Sequence, residues 1–532
     1  MALLTVRHPM DVAALLRLCD RLTEALLYGG ALFGPWAFGT TESWSIQVMN
    51  LVGSGLGLLL ALKWGLRRMR RCPAPPPAGA VSPPETPGPP PGGPVYLPRL
   101  LSASLALLTV ILLGYCLTSA VNAFATYHHA PPRFEYHRHL AWLPHSGDRS
   151  STWAAFWQYL GLALLFWATR DWLLDKDRHE QRRADPDSRP TGWGQPRHNH
   201  GWHPSARRLR RLLIVLCLNG SLLAVESIAQ WAEGSGKLLF LVRPRINQTA
   251  PGQFGPYAYR SNAAQYFNLL WPVCAGVAWM EARAARQARR AGMRNRRRTH
   301  VWLAIGTILM AACPVISTSR GGALVALGTM PLVLGVLIAA SRGASWRLRL
   351  GLFLFFVVTV QLALFLGWDR LRPRLEAALN GDGLRGRAQT YAVAAGMARD
   401  FPMFGTGPGT FAVLYQFYRQ PADYPAAEVH NDWLETRITF GWIGLVLLLL
   451  ALLVVLSHWF LGEGIPIPWV LVAMIWLALG GCLAHARFDF PLQIYSILAL
   501  FLWLACILFC IGGKRDSVEP RTPLSSPAPQ SS

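Results

Sequence analysis

Runs of eighteen or more apolar residues recur from one end of this 532-residue chain to the other. Each is long enough to cross a hydrocarbon core of about 30 Å as a helix. Hydrophobic residues make up 52% of the chain and charged residues only 15%, far below the roughly 25% charge of soluble domains, so water is not its main solvent. The runs predict spans near 22–39, 44–66, 100–121, 152–173, 212–231, 262–282, 300–319, 322–341, 350–368, 436–458, 468–485 and 491–512. The expected fold class is all-α: a polytopic helical membrane protein with about twelve transmembrane helices. An even number of crossings returns the chain to its starting side, and both termini are expected in the cytoplasm.

The formal charge of +23 raises nucleic acid as a partner until the arginines are located. They lie between the runs: Arg67, Arg68, Arg70 and Arg71, then Lys176 through Arg211, then Arg283 through Arg298. That placement is the topology signal of cytoplasmic loops. Membrane lipids are therefore the expected surroundings, with no nucleic acid. Lys514, Arg515 and Arg521 agree with a cytoplasmic C-terminus. The nine cysteines fall mostly inside apolar runs and read as small packing residues. Arg7, Asp11, Arg17, Asp20 and Arg21 precede the first run, which reads as an uncleaved span and not a removable leader.

Composition divides the chain into a two-span hairpin at 1–72, a Pro-rich cytoplasmic linker at 73–98, spans three to six with basic cytoplasmic loops at 99–299, a core at 300–512 and a disordered cytoplasmic tail at 513–532. The basic segment 174–211 holds His198, His200 and His203 beside Trp193 and Trp202, and reads as a solvated loop more readily than as a metal site. Between spans nine and ten lies an outward stretch, 369–435, far longer than the usual connection of about 4–6 residues. Its apolar helical pattern from Tyr391 to Met397, the turn-rich Phe401–Phe411 and the aromatics Tyr415, Phe417 and Tyr418 predict an ordered, partly helical loop.

Three outward constellations carry polar groups suited to chemistry. Arg320 interrupts apolar sequence in Ser-Thr-Ser-Arg-Gly-Gly, and a charge at the membrane edge invites a functional reading. Its guanidinium fork matches phosphate oxygens, while Gly321 and Gly322 allow close approach of a backbone or ligand. His430 leads into span ten. If the helix starts there, His430 and Arg437 share a face, about 10 Å apart, and a histidine near its reference pKa of about 6.5 serves as a neutral base. Asp489 lies with His485 and Arg487 in the last outward turn, placed to orient an imidazole, pair with an arginine or close a helix end. Arg260 opens span six, and Arg385 and Arg387 stand in the long loop. Several outward arginines near one rim point to an anionic substrate. The glycine string at 405–410 lacks the Lys-Ser/Thr pair of a nucleotide loop.

Taken together, the Ser-Arg-Gly turn at 319–321, Gly-x-Gly-x-Gly-x-Phe at 405–411, His430-Asn431-Asp432 followed by 434–445, Asp-Phe-Pro-Leu-Gln-Ile at 489–494 and Phe-Gly-Thr-Thr-Glu-Ser-Trp at 38–44 resemble the O-antigen ligase and polymerase family of bacterial inner-membrane glycosyltransferases. The resemblance is strongest over about 300–460. It implies transfer of a glycan from an undecaprenyl-diphosphate carrier to an acceptor hydroxyl at the periplasmic face, with no metal or other cofactor. It also implies that Arg320 contacts the diphosphate and His430 assists the acceptor hydroxyl. Arg260 matches an arginine of the family's earlier outward loop, although Tyr259-Arg260-Ser261-Asn262 stands where many relatives have Asn-Arg-Asn-His. Arg385, Arg387, Arg437 and Asp489 complete the candidate set for diphosphate or glycan. Attack opposite the leaving group inverts the anomeric centre. The acceptor is lipid A-core in a ligase, a growing glycan in a polymerase, or a protein hydroxyl in a third version. The competing class is a polysaccharide or lipid transporter or flippase, which calls for charged or broken helices near the midplane; these spans are nearly free of charge.

Overall fold

In the computed structural model of the chain, the residues described are 12–71, 96–175, 206–245, 247–292, 298–342, 346–379, 385–423, 425–461 and 465–511. The Pro-rich linker, the histidines at 198, 200 and 203 and the tail lie outside them. Among the described residues fourteen helices follow one another. They are α1 (Val12–Trp36), α2 (Ser43–Arg71), α3 (Tyr96–Val121), α4 (Arg149–Leu174), α5 (Arg207–Glu233), α6 (Arg260–Arg290), α7 (Thr299–Ile316), α8 (Arg320–Ala340), α9 (Trp346–Leu379), α10 (Arg385–Asp400), α11 (Phe411–Tyr418), α12 (Asp432–Leu461), α13 (Trp469–His485) and α14 (Tyr495–Cys510). An antiparallel hairpin of β1 (Ala125–His129) and β2 (Pro132–Tyr136) stands between α3 and α4.

Each predicted span overlaps one of these helices. Among the described residues seven, α2, α3, α5, α7, α8, α9 and α12, are long and apolar enough to cross a membrane, and α13 and α14 are shorter apolar helices. The chain is an all-α membrane protein. The long stretch before α12 holds α10 and α11, whose Met397, Phe411 and Tyr415 form a small buried core with Phe134 of the hairpin packed on it.

One helix organises the bundle. Residues 261–281 of α6 are buried on every side, against α7, α13, α5, α8 and α14. A helix buried all round need not carry a polar face, yet α6 carries Ser261, Asn262, Gln265 and Asn268 in its first turns. Those groups need partners inside the protein, because an unpaired polar group in an apolar interior costs about 1–3 kcal/mol. Ser261, Gln265 Oε1 and Asn268 Nδ2 find them in Asp489, His485 and Gly322 O, at the end of the bundle that also holds His430. The outer helices instead present apolar residues outward, such as Val110 on α3, Leu332 on α8, Phe365 on α9 and Leu453 on α12.

Span ten departs from expectation. The helix begins at Asp432, not His430, and is broken at Gly441, whose φ of 62° and ψ of −168° are not helical. The break frees backbone groups on both sides, and the glycine-rich loop before α11 pairs with them. Thr406 and Gly407 donate to the carbonyls of Ile438 and Thr439 at 2.8 and 3.0 Å, and Trp442 and Ile443 donate to Pro402 and Met403 at 3.0 and 3.2 Å. Gly405, at φ 71°, has no room for a side chain, since a Cβ there would fall 2.5 Å from Gly441 N and Ile438 O. The Gly-x-Gly-x-Gly string is a seam that closes a broken helix.

The opposite end of the bundle is held by a charge network. Lys63, almost fully buried, meets Asp20 at 2.5 Å and Asp171 at 2.8 Å, Arg67 grips Asp171 and Asp175 at 2.6 and 2.9 Å, and Arg208 reaches Asp20 at 3.1 Å. This ties α1, α2, α4 and α5 together. Removing one partner from such a buried set strands the others, at a cost of about 3–5 kcal/mol. Asp171→Ala is accordingly expected to lower the thermal midpoint in detergent sharply. Glu376→Ala, which breaks the exposed Arg372–Glu376 pair at 2.7 Å, is expected to leave it unchanged.

Candidate functional site

The turn after α13 buries Asp489, and several elements converge on its carboxylate. His430 Nδ1 lies 3.0 Å from Oδ1; Ser261 Oγ and Tyr259 OH donate to Oδ2 at 2.5 and 3.4 Å; and the Phe490 backbone N–H donates to Oδ1 at 3.1 Å. Burial by itself would raise this carboxyl. The hydrogen bond to His430, the charges of His485 and His430 and the bond from Ser261 overturn that and hold it at about 2. An ionised acceptor at Nδ1 fixes the imidazole tautomer with its proton there, leaving the lone pair on Nε2. Nε2 has no hydrogen-bond partner among the described residues, and the side chain is 27% accessible.

His430 is held in a conformation that costs energy. Its φ of 59° is left-handed, a setting that costs a non-glycine residue about 1–3 kcal/mol and persists where surroundings over-determine it. Here Tyr391 OH donates to its carbonyl at 3.0 Å, and its ring meets Tyr259 and Phe490 edge-on at 5.9 and 4.9 Å. The next two residues are structural. Asn431 Oδ1 accepts from Leu434 N at 3.3 Å, and Asp432 accepts from Leu492 N and Gln493 Nε2 at 2.9 and 3.1 Å. Only the first residue of His-Asn-Asp faces the site.

Beside this pair, two helices begin at arginines. Ser319 caps α8, accepting from Gly322 N at 3.1 Å, and its hydroxyl lies 3.0 Å from that of Ser261 at the start of α6. A side chain at Gly321 would come 2.8 Å from His485 Nε2, and one at Gly322 would run into Ala264, so the glycines let α8 lie against α6 and α13. His485 is itself locked by Gln265 at 2.7 Å. Arg260 and Arg320 thus open α6 and α8 on the same rim, where helix N-termini favour anions. Arg374 joins them from the extended end of α9, its Nη1 3.4 Å from Thr318 Oγ1. Burial, then the like charges of Arg374 and Arg320, push the Arg260 guanidinium down to about 10, so it stays charged at neutral pH. Among the described residues none of the three forms an ion pair; Arg260 donates to the Pro251 carbonyl.

The structure brings together Arg260, Arg320, Arg387, His430 and Asp489 of the predicted set. Arg387 supports the turn more than it faces open space: it donates to Phe488 O at 2.7 Å and stands 4.0 Å from Asp489. Arg437 is a correction. Because α12 starts after a left-handed His430, the two residues do not share a helical face, and Arg437 turns to Ala398 O at 3.3 Å and over the Trp442 ring at 4.4 Å. Arg385 opens α10, but its side chain lies outside the described residues. Arg374, Tyr259 and Ser261 were missed: Arg374 follows the apolar part of α9, where a loop was expected, and the other two carry no charge.

These features define a membrane protein with a rim of arginines and a carboxylate-bound histidine beside it. Residues 305–449 match the family model described as O-Antigen ligase, and they include Arg320, Arg374, Arg387, the glycine seam and His430. That match supports the O-antigen ligase family for this part of the chain, and with it glycan transfer of the ligase or polymerase type. No curated protein matches the chain.

Asp489→Asn is expected to free the imidazole tautomer and lower glycan transfer by about 10²- to 10⁴-fold. A carboxyl held below its ordinary 3.8 contributes stability that is present above that value and lost as the pH falls through about 2. The difference in thermal midpoint between wild type and Asp489→Asn is therefore expected to hold steady from neutral pH to the edge of the carboxyl range and to shrink on further acidification.

Proposed function

We propose that this protein transfers a glycan from an undecaprenyl-diphosphate carrier to an acceptor hydroxyl at the periplasmic face of the bacterial inner membrane. The observation that carries the reading is the juxtaposition of an Asp489-bound histidine with three guanidiniums that form no ion pair among the described residues. A diphosphate leaving group fits that rim, because fixed positive charge is most valuable where negative charge develops. Arg260, Arg320 and Arg374 hold the diphosphate. His430 Nε2 takes the acceptor hydroxyl proton as its oxygen bonds to the anomeric carbon; the bond from that carbon to the diphosphate oxygen breaks, and the electron pair leaves with the lipid diphosphate. Attack from the histidine side, opposite the leaving group, inverts the centre. A polyprenyl donor also explains why the site lies at a helix-bundle end instead of in a soluble domain. The acceptor is lipid A-core for a ligase or a growing chain for a polymerase, with a protein hydroxyl as the third version.

Protein in nanodiscs, given undecaprenyl-diphosphate glycan and each acceptor in turn, is expected to extend one of them. His430→Ala is expected to lower the rate at least about 10²-fold. Arg320→Ala and Arg374→Ala are expected to lower it comparably, while all three variants insert normally. Wild-type rates in His430→Ala and Arg320→Ala would sink the assignment, as would passage of the lipid across the bilayer with no acceptor extended.

A further inference from the structure

A cavity of about 330 Å³ lies between α3, α4, α12 and α14, apart from the arginine rim. That is within the usual range of ligand pockets, about 300–1,000 Å³. Its wall is almost wholly apolar, with Leu112, Phe166, Leu452 and Phe501 among the lining, and Leu448 and Leu449 of the same wall are exposed on the outside of the bundle. Along α12 the lining runs from Asp432 to Val455, and beyond the break at Gly441 its straight part, Leu445 to Val455, rises roughly 15 Å at 1.5 Å per residue. That is about half the thickness of a hydrocarbon core.

The two ends of the cavity differ. Near His430 the lining includes Asp432 and Glu435, acidic side chains whose oxygens already accept from Leu492 N, Gln493 and Val429 N. That end disfavours a phosphate. At the far end the last lining residues are Leu105, Trp167, Val455 and Ala505. One helical turn further along each helix stand Ser102, Arg170, His458 and Phe509, and these four close the end as a layer. Arg170 Nη2 donates to Ser102 Oγ at 2.9 Å, its guanidinium lies 5.5 Å from the ring centres of both Trp167 and Phe509, and the His458 ring lies 4.2 Å from Phe509.

Two polar atoms in that layer are unaccounted for. Arg170 Nε and His458 Nδ1 are shut off from water and have no hydrogen-bond partner among the described residues, and Arg170 forms no ion pair among them. His458 is 4% exposed. Buried donors are normally paired, and a guanidinium beside an apolar shaft asks for an anion that brings its own apolar tail. A polyprenyl diphosphate held at the arginine rim does not meet that need, because its charge is at the wrong end of the bundle.

We propose that this cavity is a lipid site, distinct from the donor site, that takes one anionic phospholipid from the leaflet opposite His430. The phosphate pairs with Arg170 and His458, and an acyl chain runs up the shaft between α3, α4, α12 and α14. The lipid would fill the space between α12 and the α3–α4 pair and so steady the broken helix that follows His430.

The full-length protein, delipidated and returned to nanodiscs of mixed phosphatidylglycerol and phosphatidylcholine, is expected to retain one phosphatidylglycerol per chain by native mass spectrometry. Arg170→Gln is expected to weaken that retention about tenfold. Ala505→Phe, which fills the shaft without touching the charged layer, is expected to abolish it. Equal retention of phosphatidylcholine, a preference for undecaprenyl diphosphate, thermal stabilisation by inorganic phosphate alone to the same degree, or no retained lipid would each overturn the proposal. Wild-type protein alone decides these four outcomes, so misfolding of a variant does not leave the question open. The readout contains no glycan donor or acceptor, and its failure is separate from failure of the transfer reading.

Discussion

Asp489 has to stay ionised while buried, and the arrangement of the active end follows from that requirement. A lone carboxylate in a protein interior is protonated or excluded unless donors surround it. Here the donors come from elements far apart in sequence: Tyr259 and Ser261 at the start of α6, His430 just before α12, and Phe490 in its own turn. Satisfying one charge therefore fixes the relative positions of α6, α12 and the α13–α14 turn. The same bonds that make the carboxylate tolerable set the histidine's tautomer, so stability and chemistry rest on one set of contacts.

The break in α12 serves the same end. A continuous helix through Gly441 would leave the preceding loop without a backbone to pair with. The break offers the carbonyls of Ile438 and Thr439 and the N–H groups of Trp442 and Ile443, and residues 402–407 use all four. Non-helical backbone at such a place is tolerated when it is buried in protein and paired. Tyr115 adds its hydroxyl to the carbonyls of Phe404 and Phe440 at 2.6 and 2.8 Å, which anchors α3 to the same seam. The short helix after His430 is thereby held on two sides.

Much of the bundle was legible because apolar runs of membrane length leave little alternative to helix, and Arg320 stood out because a charge interrupts such a run. For Asp489, residue type offers an imidazole, an arginine or a helix end as partner, and does not choose among them. What could not be read depended on where helices start and stop. Hydropathy marks where apolar sequence ends, not where the helix ends, so the polar extension of α9 that carries Arg374, with Pro373 inside it, was taken for loop. A glycine in an apolar helical pattern is ordinarily tolerated, so Gly441 gave no sign of a break. Arg437 was assigned to the rim on the assumption that helical geometry began at His430, and the left-handed backbone there removes the assumption. Ser261, uncharged and common, acquires meaning only from standing 2.5 Å from a buried carboxylate.

The two ends of the bundle treat charge in opposite ways, and the contrast separates structure from function. At one end Lys63, Arg67 and Arg208 face Asp20, Asp171 and Asp175, three cations against three anions, and the set is closed. At the other, Arg260, Arg320 and Arg374 gather at two helix N-termini, with like charges acting on one another, and Asp489 is committed to His430 and Ser261. Helix dipoles there add to the positive field instead of offsetting it. Such an arrangement is unfavourable for the empty protein, and bound anion removes the repulsion. In the transfer proposed above, that unbalanced rim would be best satisfied when the leaving group carries its full charge, the state such a reaction has to stabilise.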